Sequence, residues 1–182
     1  MNILLDLMGS TIIGGLIVLM LLNFSIFQTN TSFSSDSELQ LQQNAKTLAE
    51  ILNHDFRKIG YGYDNTAFFE ADSERISFYS DIDRNGSVDK VTYMLGDTLE
   101  SSSTTNPNDR VLYRIVNSDT IKGPTLGLVK AKFSYYTGNG SETTVLSSIQ
   151  YVKAELWIET NEPVNGEYPF TYWEMTINPR NL

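Results

Sequence analysis

From residue 3 to residue 22 the chain is almost wholly apolar, with Asp6 the only charge and Ser10 and Thr11 the only hydroxyl side chains. A run of this kind matches the ~20 residues that cross a ~30 Å hydrocarbon core as a helix. Residues 29–37 are polar and rich in Ser, Thr and Asn, with Ser35 or Asp36 placed to cap a second helix. Leu41, Ala45, Leu48, Leu52, Phe56 and Ile59 then recur at spacings of three and four, which predicts one apolar stripe along a helix. Gly60-Tyr61-Gly62-Tyr63 predicts its end, at Gly60 or Gly62.

After residue 66 the period shortens to two. Strands are predicted over 75–79, 90–95, 110–116, 128–136, 149–159 and 171–177. Val129, Ala131, Phe133 and Tyr135 would line one face of their strand, and Val152, Ala154, Leu156 and Ile158 one face of the next. Gly138-Asn139-Gly140 reads as a turn, 100–109 as a low-complexity loop and 159–169 as a longer loop. One amphipathic helix followed by short strands predicts an α+β fold, with the helix covering an antiparallel β-sheet domain. The expected organisation is a transmembrane helix over 1–27, an amphipathic stalk over 28–62 and a β-rich globular domain over 63–182.

Composition narrows the function. The 182 residues carry a net charge of −9, from 22 acidic and 13 basic residues, and no cysteine. Non-specific nucleic-acid binding requires phosphate-neutralising cations and is not expected. Thiolate zinc sites and disulfides are excluded. One histidine, His54, falls on or beside the apolar stripe and reads as structural, and there is no phosphate loop. The chain therefore reads as a non-enzyme. Trp157 and Trp173 alternate with core positions and read as sheet packing.

The apolar run has no Lys or Arg before Lys46 and no small-residue cleavage site after it, which favours a retained single-pass anchor over a signal peptide. A carboxylate at Asp6 is costly inside hydrocarbon. Either it snorkels to the headgroups or another subunit satisfies it, a neighbour's Met1 amine being the natural cation. Gly14-Gly15 marks a place where the helix would thin, bend or pack against another helix. Further on, Asp81-Ile82-Asp83-Arg84-Asn85-Gly86-Ser87-Val88-Asp89 sets oxygen side chains at alternate positions around a glycine. That spacing suits calcium, with Asp81, Asp83, Asn85 and Asp89 as ligands and Ser87 giving a backbone carbonyl. Thr92 stands where a bidentate Glu would complete the set, and a plain acidic β-turn has the same composition.

Several strings resemble the type IV pilin and pseudopilin family, W-type minor pilins and J-type minor pseudopilins above all. They are His54-Asp55-Phe56-Arg57-Lys58-Ile59-Gly60-Tyr61 at the helix end, then Ile76-Ser77-Phe78 with the acidic turn and Val91-Thr92-Tyr93. The last is the terminal Pro179-Arg180-Asn181-Leu182. The family's basic leader and Gly-Phe-type processing site do not precede the apolar run. The resemblance implies a subunit of a helical filament assembled at the inner membrane, its partners copies of itself or other pilin-like subunits. Asp6 would stand for the family's early glutamate, and Gly14 or Gly15 for its helix-melting point. The implied location is the inner membrane before assembly, then an extracellular filament or periplasmic pseudopilus. Two other readings remain at this level: a monomeric membrane-anchored extracytoplasmic binding module with a calcium-stabilised loop, and an anchored carbohydrate-acting enzyme. Carboxylates such as Asp72 and Glu74 are available for acid/base work but read as solvated strand-end acids.

Overall fold

The computed structural model describes residues 3–101, 104–124, 126–164 and 166–182. It divides into two compact units at the Glu38/Leu39 junction.

Helix α1 (Ile3–Phe56) contributes to both units. It runs without a break through residues 29–37, so Ser35 and Asp36 are interior residues of α1 and not the cap of a second helix. The polar side chains there do not interrupt it, because hydroxyls fold back onto the helix: Thr29 Oγ1 donates to the Ser25 carbonyl and Thr31 Oγ1 to that of Phe27, each at 2.9 Å. The helix is equally continuous through Gly14 and Gly15.

In the second unit the expected stripe is fully covered. Leu41, Ala45, Leu48, Leu52, Phe56 and Ile59 are all buried, so the packed part of the helix belongs with the sheets. Two antiparallel sheets cover it. The first is a meander of β1 (Phe68–Ala71), β2 (Arg75–Ser80), β3 (Asp89–Leu95), β4 (Leu112–Val116) and β5 (Asp119–Lys122). The second is β6 (Leu128–Tyr136), β7 (Tyr151–Glu159) and β8 (Phe170–Ile177). The α+β class expected from the period change is therefore present, with the strands parted into two sheets.

Phe56 joins the three layers. Its ring lies 5.9 Å from Phe78 and 5.6 Å from Tyr93 of the first sheet, both edge-on, and 5.8 Å from Phe133 of the second. Val152, Ala154, Leu156 and Ile158 bring the inner face of β7 to the same core. On β6 the expected face is corrected at one position. A bulge between Leu128 and Lys130 inserts Val129 as an extra residue, so Leu128 is buried in its place. Trp157 lies on the outer face of β7, 5.1 Å from Tyr172, with the Lys130 ammonium 4.6 Å from its ring.

The helix ends through a tightened turn, in which Lys58 N–H donates to the Asp55 carbonyl, and Gly60 follows at φ +79°. A side chain there would stand 2.6 Å from the Asn181 carbonyl, so only glycine lets the C-terminal tail close under the helix end.

Candidate functional site

Three places bring together side chains whose chemistry the hydrophobic core does not explain. The first is the leading stretch of α1. Among the described residues its large apolar side chains are uncovered: Ile3, Leu16 and Phe27 keep 81%, 61% and 68% of their surface open. It is a helix long and apolar enough to cross a membrane. Its Ser10 and Thr11 hydroxyls need no outside partner, since Ser10 Oγ donates to the Leu7 carbonyl and Thr11 Oγ1 to that of Met8, each at 2.9 Å. Asp6 sits in the first turn, where unpaired backbone N–H groups favour an anion. Gly14 and Gly15 have open space where a side chain would start. Met1 lies outside the described residues.

The second place is the hairpin joining β2 to β3. Asp81, Asp83 and Asp89 bring one carboxylate oxygen each to within 4.8 Å of one another. Two left-handed residues, Arg84 at φ +63° and Gly86 at φ +86°, fold the loop back so that its N–H groups face these acids. Asp81 Oδ1 accepts from Asn85 N–H at 3.0 Å, and Oδ2 from Gly86 N–H at 2.9 Å. Asn85 Nδ2 donates to Asp83 at 2.9 Å, while its Oδ1 accepts from Ser87 N–H at 2.7 Å. Asp89 Oδ1 accepts from Asn117 Nδ2 at 2.8 Å, a partner supplied by the turn after β4. Thr92 is buried within β3, its hydroxyl 2.8 Å from that of Ser77, and takes no part in the loop. The oxygen-rich donor set fits a hard cation such as calcium, since each carboxylate keeps lone pairs beyond those its N–H partners use. Without an ion, the same N–H groups offset the mutual repulsion of the acids.

The third place was not singled out by sequence spacing. Asp55, nearly the last residue of α1, is buried and accepts three bonds. Tyr93 OH donates at 2.7 Å and Arg114 Nε at 2.6 Å to Oδ2, and His54 Nδ1 lies 3.0 Å from Oδ1. Burial alone would raise the Asp55 pKa, but the bonds from Arg114, Tyr93 and His54 outweigh it and hold the carboxyl below its ordinary value. Burial and the adjacent carboxylate push the Tyr93 hydroxyl far up, so it remains a donor. His54 is exposed and serves here as a partner of Asp55. The trio pins the helix to β3 and β4, which is a structural task. Its signal in the sequence was an acid one position from the apolar stripe, but its partners stand 38 and 59 residues away.

Compared with protein-family models, curated proteins and solved structures, the chain matches none.

Proposed function

We propose that this chain is a structural subunit of a type IV pilus-like or pseudopilus-like filament, anchored in the inner membrane by the leading stretch of α1 before assembly. The observation that carries the proposal is the contrast within α1. Among the described residues, the apolar side chains of the leading stretch stay uncovered and its Ser10 and Thr11 hydroxyls are self-satisfied, while the following stripe is buried under two sheets. Lipid covers such a stretch before assembly, and the same stretch of neighbouring copies covers it afterwards. The resemblance of the helix end, the acidic turn and the terminal Pro-Arg-Asn-Leu to minor pilins and pseudopilins supports the same reading.

In this proposal Asp6 has a task in assembly. No Lys or Arg lies between Asp6 and Lys46, so a cation for Asp6 inside a filament comes from another copy. A head-to-tail contact of that kind propagates as an open helix. Because an unpaired buried charge is expensive, the pair fixes the register of each added subunit. Asp6→Ala is expected to leave the protein in the membrane and its β-rich domain folded, yet to abolish or shorten filaments seen by electron microscopy. Asp6→Glu should be tolerated better than Asp6→Asn. Filaments of normal length and number from Asp6→Ala would defeat the proposal for this residue. The hairpin acids enter as a calcium site that stiffens the domain, with Asp81, Asp83, Asn85 and Asp89 as ligands.

A further inference from the structure

Buried oxygens without partners gather in one region of the second unit. Among the described residues, the buried side-chain atoms lacking any hydrogen bond are Ser101 Oγ, both carboxylate oxygens of Asp109, Thr160 Oγ1 and Asn161 Oδ1. They come from two segments only, the 101–109 loop and the end of β7 with the residues just after it. Hydrogen bonds staple those segments together: Asn106 Nδ2 donates to Glu159 Oε2 at 2.9 Å and to the Thr160 carbonyl at 3.1 Å, and Thr105 Oγ1 donates to the Asn161 carbonyl. Asp109 has no exposed surface, and Ser101 and Thr160 keep 3% and 9% of theirs.

Such an arrangement is costly as it stands, because a buried carboxylate without a donor forfeits its hydration. Burial raises the Asp109 pKa, and the charge of Glu159 adds to that. The Thr104 hydroxyl lies close enough to oppose the shift, but its geometry directs it to the Ser101 carbonyl at 3.2 Å. No basic side chain among the described residues pairs with Asp109. The neighbouring Arg110 donates instead to the Gly96 carbonyl and pairs with Glu74, and Lys122 donates to the Glu100 carbonyl. What these groups lack is a positive centre that accepts several oxygens at once. Three of the five oxygens, the pair of Asp109 and Asn161 Oδ1, can only accept, and neither the Ser101 nor the Thr160 hydroxyl makes a hydrogen bond to them.

We propose that Asp109, Ser101, Thr160 and Asn161 form a cation site, separate from the β2–β3 hairpin, in which calcium clamps the 101–109 loop to the end of β7. Calcium suits it better than magnesium, since calcium takes 6–8 oxygens in flexible geometry and accepts neutral hydroxyl and amide oxygens beside a carboxylate.

The test uses the full chain in detergent, stripped with chelator and titrated with Ca²⁺ by calorimetry, alongside thermal melts. Asp83→Ala removes one hairpin ligand and weakens that site, and calcium lost when Asp109→Asn is added to it belongs to the new site. One calcium per chain is expected in Asp83→Ala, and none after Asp109→Asn is added to it. In chelator, Asp109→Asn should melt no lower than the parent, because it removes an unpaired charge, yet calcium should no longer raise its midpoint. Thr160→Val, which keeps the shape of the side chain, should weaken calcium by at least about tenfold, the scale on which even outer partners of a metal act. An Asp83→Ala protein that binds no calcium, or one whose calcium is unaffected by both Asp109→Asn and Thr160→Val, overturns the site.

Discussion

Phe24 and Phe56 lie on the same helix, yet Phe24 keeps 62% of its surface open and Phe56 keeps none. The difference is one of pattern rather than of residue type. Around Phe24 the apolar residues occupy every side of the helix, so no face is singled out for a partner within the chain. Around Phe56 they are confined to one stripe, and polar residues fill the rest. A stripe can be covered by a sheet, whereas a helix apolar all round requires a surrounding medium, lipid or other helices. At roughly 1.5–3 kcal/mol for each large apolar side chain withdrawn from water, the leading stretch has a strong drive to find one.

The sharpest test of that contrast is a matched pair of truncations. Phe56→Ala removes the ring shared by three layers and should cost the domain about 3–5 kcal/mol. Phe24→Ala should leave domain stability unchanged. Urea unfolding in detergent, followed by fluorescence of Trp157 and Trp173, reads the domain alone, since both tryptophans belong to the second sheet. Equal losses from the two variants would erase the distinction between the stretches.

The acids of α1 sharpen the comparison at a smaller scale. Arg114→Ala leaves the buried Asp55 carboxylate short of its cation and should cost about 3 kcal/mol at neutral pH. Folding lowers the Asp55 pKa, so its contribution is complete above pH ~4 and disappears as pH falls further through the depressed native value. The wild-type chain should therefore lose stability below that pH more steeply than Asp55→Asn, which is less stable at pH 7 but has no charge there to lose. Asp6→Asn should alter neither curve. Parallel acid profiles for the wild type and Asp55→Asn would mean that the trio carries no ionic stabilisation.

Glycines give the smallest difference. Gly60→Ala forces a side chain into the left-handed region and against the Asn181 carbonyl, at about 1–3 kcal/mol. Gly15→Ala meets open space and removes a residue that weakens the helix, so helicity in detergent by circular dichroism should hold or rise, with a gain of at most ~1 kcal/mol. A domain destabilised as much by Gly15→Ala as by Gly60→Ala would contradict the division at Glu38/Leu39.

How much of this was legible in the sequence depended on how local the signal was. The stripe from Leu41 to Ile59 was readable because helical period is local, and so was the alternation along β7. The short strands β1 and β5 were missed. Each has four residues, and Asp119, Thr120, Ile121 and Lys122 are all exposed, so no alternation marks them. The parting of the strands into two sheets rests on pairings across loops, which period does not reveal. Val129 was assigned to the wrong face because a bulge changes phase without changing composition. Asp81, Asp83 and Asp89 were found because one turn holds all three. Asp109 and Thr160 were not, since nothing in either segment refers to the other.

The closure of the tail under the helix end also sets a timetable. Asn181 Nδ2 reaches the Ile59 carbonyl across 122 residues, and the ring of Phe56 waits for that of Phe133. A ribosome adding about 5–20 residues per second takes on the order of 6–24 s to pass from Ile59 to Asn181. Through that interval the leading stretch of α1 has already been made, while the stripe behind it has no complete surface to settle on. On the proposed anchoring, entry into the membrane comes first in time, and the domain folds on a chain that is already tethered.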